Sequence, residues 1–361
     1  MNTEYVGILL NKSICNGIQQ GINIREAIHL YDEIGTKYGL IPCYFSPSDY
    51  STKKNQVYAF IRTGNEYKRK WIPVPRVIHN RTLHQTQTEK NVLSQLEKQG
   101  SILFNRQNRY NKLWVHRNLY KIPALRPYLP KTVPATLQNL QKMMEEFPSL
   151  ILKPVIGSLG KGIMRLSQTN HRWLLSYPAA NKKNPHLIRE FFTDSIPLHI
   201  TKTFNQKSYI IQEEIPIATY KGRPFDLRVS VQKNEHSFWQ VTGLIAKVAR
   251  PGHFLCNVAQ GGKVYLLEDL LGTYPNLKRD TVNDNISRLS LTIVQELEEH
   301  LPGLADVGLD LAITRDGFPY FIECNGRDQR YSFLNGGMVD TWKQTYFNPM
   351  GYARFLLDYE E

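Results

Sequence analysis

Residues 308–325, GLDLAITRDGFPYFIECN, constrain the fold more than any other stretch of the chain. Two runs of alternating apolar residues flank Asp316-Gly317, the pattern of a β-hairpin. With those two residues as the loop, Asp310 falls directly opposite Glu323, their Cβ atoms about 5 Å apart on one face. Like charges so placed destabilise a hairpin unless something neutralises them. A divalent cation does so, and hard carboxylate and amide oxygens suit Mg²⁺. Asn325 shares the face of Glu323, two residues on. Its opposite partner is Gly308, which leaves space for a ligand, and Phe321 offers an apolar floor. The competing reading is a surface hairpin with solvent-screened carboxylates, against which the apolar neighbours argue.

The rest of the chain reads as mixed α/β. Its 361 residues allow two or three domains. Strand-like Val6–Leu10, Ile41–Phe45, Val57–Arg62, Arg76–His79 and Ile102–Phe104 alternate with helix-like Arg25–Tyr38 and Thr88–Lys98. That alternation predicts a mostly parallel sheet covered by helices over residues 1–110. A proline-rich connection with one helix, Asn111–Tyr120, follows, and beyond Leu150 the pattern turns antiparallel. Expected units are 1–110, 111–215 and 216–361, the last ending in a docking helix near Tyr346–Tyr359. No apolar run reaches the roughly 18 residues of a membrane helix. The N-terminus reads as a strand without signal-peptide features, so a cytoplasmic location is expected. Four dispersed cysteines without a CxxC pair argue against a zinc ribbon or disulfide scaffold. Lysine and arginine exceed acids by 13, which favours anionic partners without choosing among them.

Two further stretches carry chemistry. Lys153-Pro154-Val155-Ile156-Gly157-Ser158-Leu159-Gly160-Lys161-Gly162 reads as strand, turn, strand. Glycines let backbone N–H groups approach an anion, and a concave run of them binds phosphate. Lys153 at the strand end supplies a compact positive charge. The spacing is not that of a P-loop, and the turn leads to a strand, unlike a dinucleotide fingerprint. An ordinary hairpin with solvated lysines remains the alternative. The second stretch runs from Tyr209 to Asn257. It holds a strand leading to Gln212-Glu213-Glu214-Ile215, then Asp226 and Arg228 on one strand face, then a strand ending in Lys247 and Arg250. An arginine near a phosphoryl centre stabilises developing negative charge, although an isolated one on a sheet edge is usually a surface charge.

Taken in order, these motifs resemble the ATP-grasp superfamily, whose members activate a carboxylate as an acylphosphate and join it to an amine. The match runs from Lys112 to Asn325. KPxxGSxGKG resembles the flexible phosphate loop, QEEI the hinge that holds adenine, DLRVSV the DxR strand, and ARPGHFLCNVAQGG the basic strand and Asn loop. The HRNL, ECNGR and PMGYARFLL segments look closest to the endospore coat-associated YheC/YheD group. The resemblance implies a Rossmann-like pre-ATP-grasp domain followed by a two-subdomain ATP-grasp fold, with ATP and Mg²⁺ bound between the subdomains. By motif, Lys153 and Lys112 would contact phosphate, and Gly157, Ser158, Gly160, Lys161 and Gly162 would close over it. Gln212, Glu213, Glu214 and Ile215 would line the adenine pocket with Phe321 beneath the ring, and Asp226 would lie near ribose or phosphate. Asp310, Glu323 and Asn325 would hold Mg²⁺. Arg228, Arg250 and Asn257 would face the γ-phosphate and the acyl intermediate. No acidic partner for ribose follows the hinge, where Ile215-Pro216-Ile217 is apolar.

Three functions compete. The first is a carboxylate–amine ligase with an unidentified substrate pair. The second is a nucleotide-binding structural protein of a spore layer, docking on coat proteins or an acidic polymer. The third is a nucleic-acid binder using the basic segment 105–131 with Tyr110, Trp114 and Tyr120, which no recognisable nucleic-acid motif supports.

Overall fold

A computed structural model describes residues 4–20, 26–83, 86–157, 159–179 and 186–359. Three sheets organise them. In the first, Leu40–Phe45, Glu4–Leu9, Val77–Asn80 and Ile102–Phe104 are neighbours in that order and all parallel. Apolar residues such as Val6, Ile8 and Val77 are fully buried, as expected of strands covered on both faces. The strand expected near Val57 departs from this pattern. It runs Gln56–Thr63, meets the parallel strands antiparallel at Tyr44–Phe60, and forms a hairpin with Glu66–Pro73. Glu66, Lys68 and Lys70 on that second strand are exposed, which hides it from hydrophobic patterning.

The second sheet is antiparallel, in the order Leu187–Phe192, Arg172–Pro178, Met164–Thr169, Ser149–Pro154, Tyr209–Glu213, Thr132–Pro134. Helices Leu137–Glu146 and Leu198–Gln206 cover one face, with Leu140, Met143 and Ile200 packed on Leu150, Leu152 and Ile211. Alternation turns Ile151 and Lys153 to the other face.

The third sheet orders Lys263–Tyr265, Trp239–Val248, Arg223–Lys233, Asp306–Ile313 and Pro319–Asn325. Leu227, Val229, Leu309 and Leu311 pack on helix Arg279–Glu298 through Ile286, Ile293 and Val294. The opposite face carries the charged residues. The C-terminal helix, Val339–Tyr359, starts earlier than its sequence pattern suggests and joins the core of the first sheet through Tyr346, Met350 and Leu356. A buried ion network ties the third sheet to the N-terminal part. Asp306 lies 2.6 Å from Arg330 and 3.2 Å from Arg81, and Arg81 lies 2.9 Å from Glu26.

Candidate active site

A row of charges crosses the third sheet in register. Lys247 is the cross-strand partner of Asp226, Arg228 of Asp310, and Asp310 of Glu323. Lys247 is 2% exposed, with Nζ 3.0 Å from Asp226 Oδ1 and 2.8 Å from Asp310 Oδ1. Arg228 donates to Asp310 from Nε at 3.0 Å and from Nη2 at 3.3 Å. Burial works against charge on Asp310, but Arg228 and then Lys247 outweigh it and hold its carboxyl well below the usual range. On Asp226 burial wins over Lys247, and the carboxyl is pushed up to about 6.

The hairpin reaches its Asp310–Glu323 pairing by a route different from the expected one. Thr314 and Phe318 close the turn, with Gly317 in the left-handed region, so the loop is one residue longer than Asp316-Gly317. The pairs next to it are Ile313–Pro319, Ala312–Tyr320 and Leu311–Phe321. A β-bulge at Ile322 then restores the register, which gives Asp310–Glu323 and Gly308–Asn325. Two expectations are thereby corrected. Phe321 sits on the core side with Leu311, 4% exposed, and Ile322 takes its place on the cleft wall. The space at Gly308 is filled by side chains: a Cβ there would lie 2.5 Å from Asp328 Oδ1 and 2.6 Å from Arg228 Nη1.

Between the second and third sheets lies a cleft of about 130 Å³. Ile151, Lys153, Gln212, Glu213, Glu214 and Ile215 form its wall on the side of the second sheet. Gly157, Gly160 and Lys161 overhang it. Asp226, Asn257, Asp310, Ile322 and Glu323 face them, and Lys112 enters from the first turn of helix Lys112–Tyr120. The Lys112 ammonium lies 3.2 Å from Glu323 Oε2 and donates to the Gly157 carbonyl at 3.1 Å. Lys153 donates to the Ile322 carbonyl at 3.4 Å, and burial pulls its pKa down to about 8. Glu214 is held by Arg165 at 2.7 Å and by Ser149. The Gln212 amide donates to Thr132 Oγ1 at 2.7 Å.

The remaining candidates are placed elsewhere. Arg228 and Asn325 line a small adjoining recess of about 30 Å³ together with Lys247 and Asn257. Gly162, φ +74°, sits at the end of the turn, where Tyr209 donates to its carbonyl at 2.9 Å. Arg250 runs along Gly261, with Nη2 3.4 Å from His253 Nδ1, outside both cavities. Ser158 lies outside the described residues. Of Tyr110, Trp114 and Tyr120 in the basic segment, Tyr110 is 5% exposed, so these three do not form a common stacking platform.

Magnesium suits the oxygen donors present. The Asn325 amide nitrogen donates to Asp310 Oδ2 at 3.2 Å and to Glu323 Oε1 at 3.4 Å, which gathers the two carboxylates; its oxygen would turn towards them to ligate a cation. No group of three His, Cys, Asp or Glu forms a metal cage among the described residues. Such a site fits Mg²⁺, which is commonly held by one or two carboxylates plus substrate phosphates.

Lys247, Asp328 and Ile322 were not legible as site residues. Lys247 showed only as a cation near a strand end; its burial between two carboxylates depends on the register of three strands.

Comparison with known proteins identifies the family and the fold. A family profile described as YheC/D like ATP-grasp matches residues 100–356. The endospore coat-associated protein YheD of Bacillus subtilis (strain 168) is 24% identical over 320 residues, covering 86% of this chain and 70% of its own. The endospore coat-associated protein YheC of the same organism is 21% identical, covering 87% and 86%. Among solved structures, the VanG D-Ala:D-Ser ligase from Enterococcus faecalis superposes with a TM-score of 0.54 at 13% identity, over 98% of this chain and 100% of that one. The fold is that of ATP-grasp ligases, and the chain belongs to the YheC/D-like ATP-grasp family.

Proposed function

We propose that this protein is an ATP- and Mg²⁺-dependent ligase that activates a carboxylate as an acylphosphate and joins it to an amine. The observation that carries this reading is the convergence of Lys112, Lys153, Asp310 and Glu323 on one cleft beneath a glycine-rich turn. Lys153 and Lys112 would bind the phosphates, and backbone N–H groups of Gly157 and of residues 159–162 would cover them. Residues Gln212 to Ile215 would hold the base by their backbone, and Ile151 and Ile322 would sandwich it. Asp310, Glu323 and Asn325 would hold Mg²⁺, which would supply charge neutralisation for the phosphates. Arg228, at the recess beside them, would stabilise charge developing on the transferred phosphoryl group.

In this scheme a carboxylate oxygen attacks the γ-phosphorus and ADP leaves. The amine then attacks the acyl carbon, inorganic phosphate leaves, and the amine proton passes to solvent. Residues 111–215 and 216–361 act as the two halves of the grasp. The coat-associated names of both relatives and the excess of 13 positive charges support association with a spore layer and its acidic components. The same two observations favour the second reading, a nucleotide-binding structural protein without turnover.

Hydroxylamine decides between them. It intercepts an acylphosphate as a stable hydroxamate. Incubation with Mg-ATP, hydroxylamine and a panel of amino acids and peptides should give ADP and a hydroxamate in equal amounts for one acid. Nucleotide binding without ADP formation across the panel would favour the structural reading.

A further inference from the structure

We infer that Asp328 is the positioning residue that keeps Arg228 aimed at the terminal phosphate, an inference that rests on the nucleotide-site reading above. Arg228 is shared by two carboxylates that are not equivalent. Asp310 takes its Nε and Nη2, at 3.0 and 3.3 Å, and Asp328 takes its Nη1 at 3.1 Å. Asp310 lines the cleft and also receives Lys247 at 2.8 Å and the Asn325 amide at 3.2 Å. A cation entering the cleft would compete with Arg228 for those oxygens. Asp328 is fully buried and lines neither cavity, so no ligand reaches it.

Asp328 therefore retains Arg228 whenever Asp310 turns towards a cation. A planar guanidinium held at one nitrogen keeps its orientation better than an ammonium would. The anchor is itself fixed. Arg81 donates to the Asp328 carbonyl at 2.8 Å, and Arg81 is held by Glu26 at 2.9 Å. The neighbouring strand is shaped to the pair as well, since Gly308 leaves the room in which Asp328 Oδ1 and Arg228 Nη1 meet.

The test compares two ligands on the full-length chain by calorimetry, with Mg²⁺ present. One is ADP; the other is the β,γ-imido analogue of ATP, which alone carries the phosphate that Arg228 faces. Wild type is measured beside Asp328→Asn, Asp328→Glu and Gly308→Ala. Hydrogen bonds to charged groups imply a loss of about tenfold or more in analogue affinity for Asp328→Asn and Gly308→Ala, with ADP affinity changed less than about threefold. Asp328→Glu should recover part of the loss. A merely structural role would lower both affinities together, or lower thermal stability with the ratio unchanged, and either result overturns the inference. If Asp328→Asn does not fold, the ratio in Asp328→Glu and Gly308→Ala decides. Wild type binding neither ligand would overturn the site reading and this inference with it; wild type binding both, with constant ratios in the variants, overturns this inference alone.

Discussion

Lys247 and Asp226 face each other across two strands, Nζ to Oδ1 3.0 Å, and the same ammonium lies 2.8 Å from Asp310 on the next strand. One cation thus compensates two buried carboxylates that would otherwise repel. Lys247→Met removes it and leaves the acids with Arg228 alone. Breaking a buried ion pair by deleting one partner typically costs about 3–5 kcal/mol. Urea unfolding should show a loss of that order for Lys247→Met, and a smaller one for Lys247→Arg. A loss within the error of the measurement would mean that the carboxylates are not both charged in the folded chain.

The bulge at Ile322 makes a prediction about neighbours. Phe321→Ala opens a hole in the apolar core and should cost about 3–5 kcal/mol of stability. Nucleotide affinity should change little. Ile322→Ala should behave in the opposite way: a small stability change, and nucleotide affinity reduced several-fold by lost apolar contact worth about 1 kcal/mol. Unfolding and binding measured on both variants check the assignment. An exchange of the two patterns would restore the hairpin without a bulge.

Burial holds Lys153 at about 8, against an ordinary value of 10.5. Above pH 8 the folded chain releases this proton while the unfolded chain keeps it until about 10.5. The unfolded state then binds more protons, so this group's contribution to stability rises with pH across that window. Phosphate binding runs the other way because it needs the ammonium. Nucleotide affinity should fall as pH rises through 8, by up to about tenfold per unit. In Lys153→Arg, which stays charged, the fall should be absent. Calorimetry on either side of pH 8 checks both slopes.

The carboxylate pair was legible from sequence, yet through two departures that cancel. The loop is one residue longer than Asp316-Gly317 suggests, and the bulge at Ile322 removes the offset. Alternation alone locates neither, which is why the pairing was correct and the Phe321 side was not. The glycine-rich turn and the strands around it were legible because Gly157, Gly160 and Gly162 punctuate apolar runs. The Glu66–Pro73 strand was missed because its exposed face is charged. Asp328 carries no local signal: it follows a turn, and its importance comes from Arg228 and Arg81, which are distant in sequence. The Gly308 role was read backwards for the same reason.

The glycine-rich turn is fastened to the opposite wall. Gln260 donates to the Leu159 carbonyl at 2.9 Å, and Gly160, φ +68°, lies where a Cβ would come within 2.8 Å of Asn257 Oδ1. Gly160→Ala is strained in that conformation and displaces Asn257, and Gln260→Ala removes the hydrogen bond. Both should speed nucleotide dissociation several-fold, consistent with losing about 1 kcal/mol. Thermal stability without nucleotide should hardly move for Gln260→Ala, whereas Gly160→Ala should lose about 1 kcal/mol or more from backbone strain. Stopped-flow release of a fluorescent ADP analogue reads the rate; unchanged rates in both variants would mean that the turn does not gate release.

The nucleotide–metal site is tested most directly by the thermal stability of wild type and Glu323→Ala with Mg-ATP, with ATP and chelator, and with neither. A ligand at about 100 times its Kd adds about 2.7 kcal/mol to the folded state. Wild type should be stabilised by Mg-ATP and less by ATP with chelator, and Glu323→Ala should lose the metal-dependent part. No shift in wild type, or an equal metal-dependent shift in both proteins, would contradict the assignment of Glu323 and its cleft.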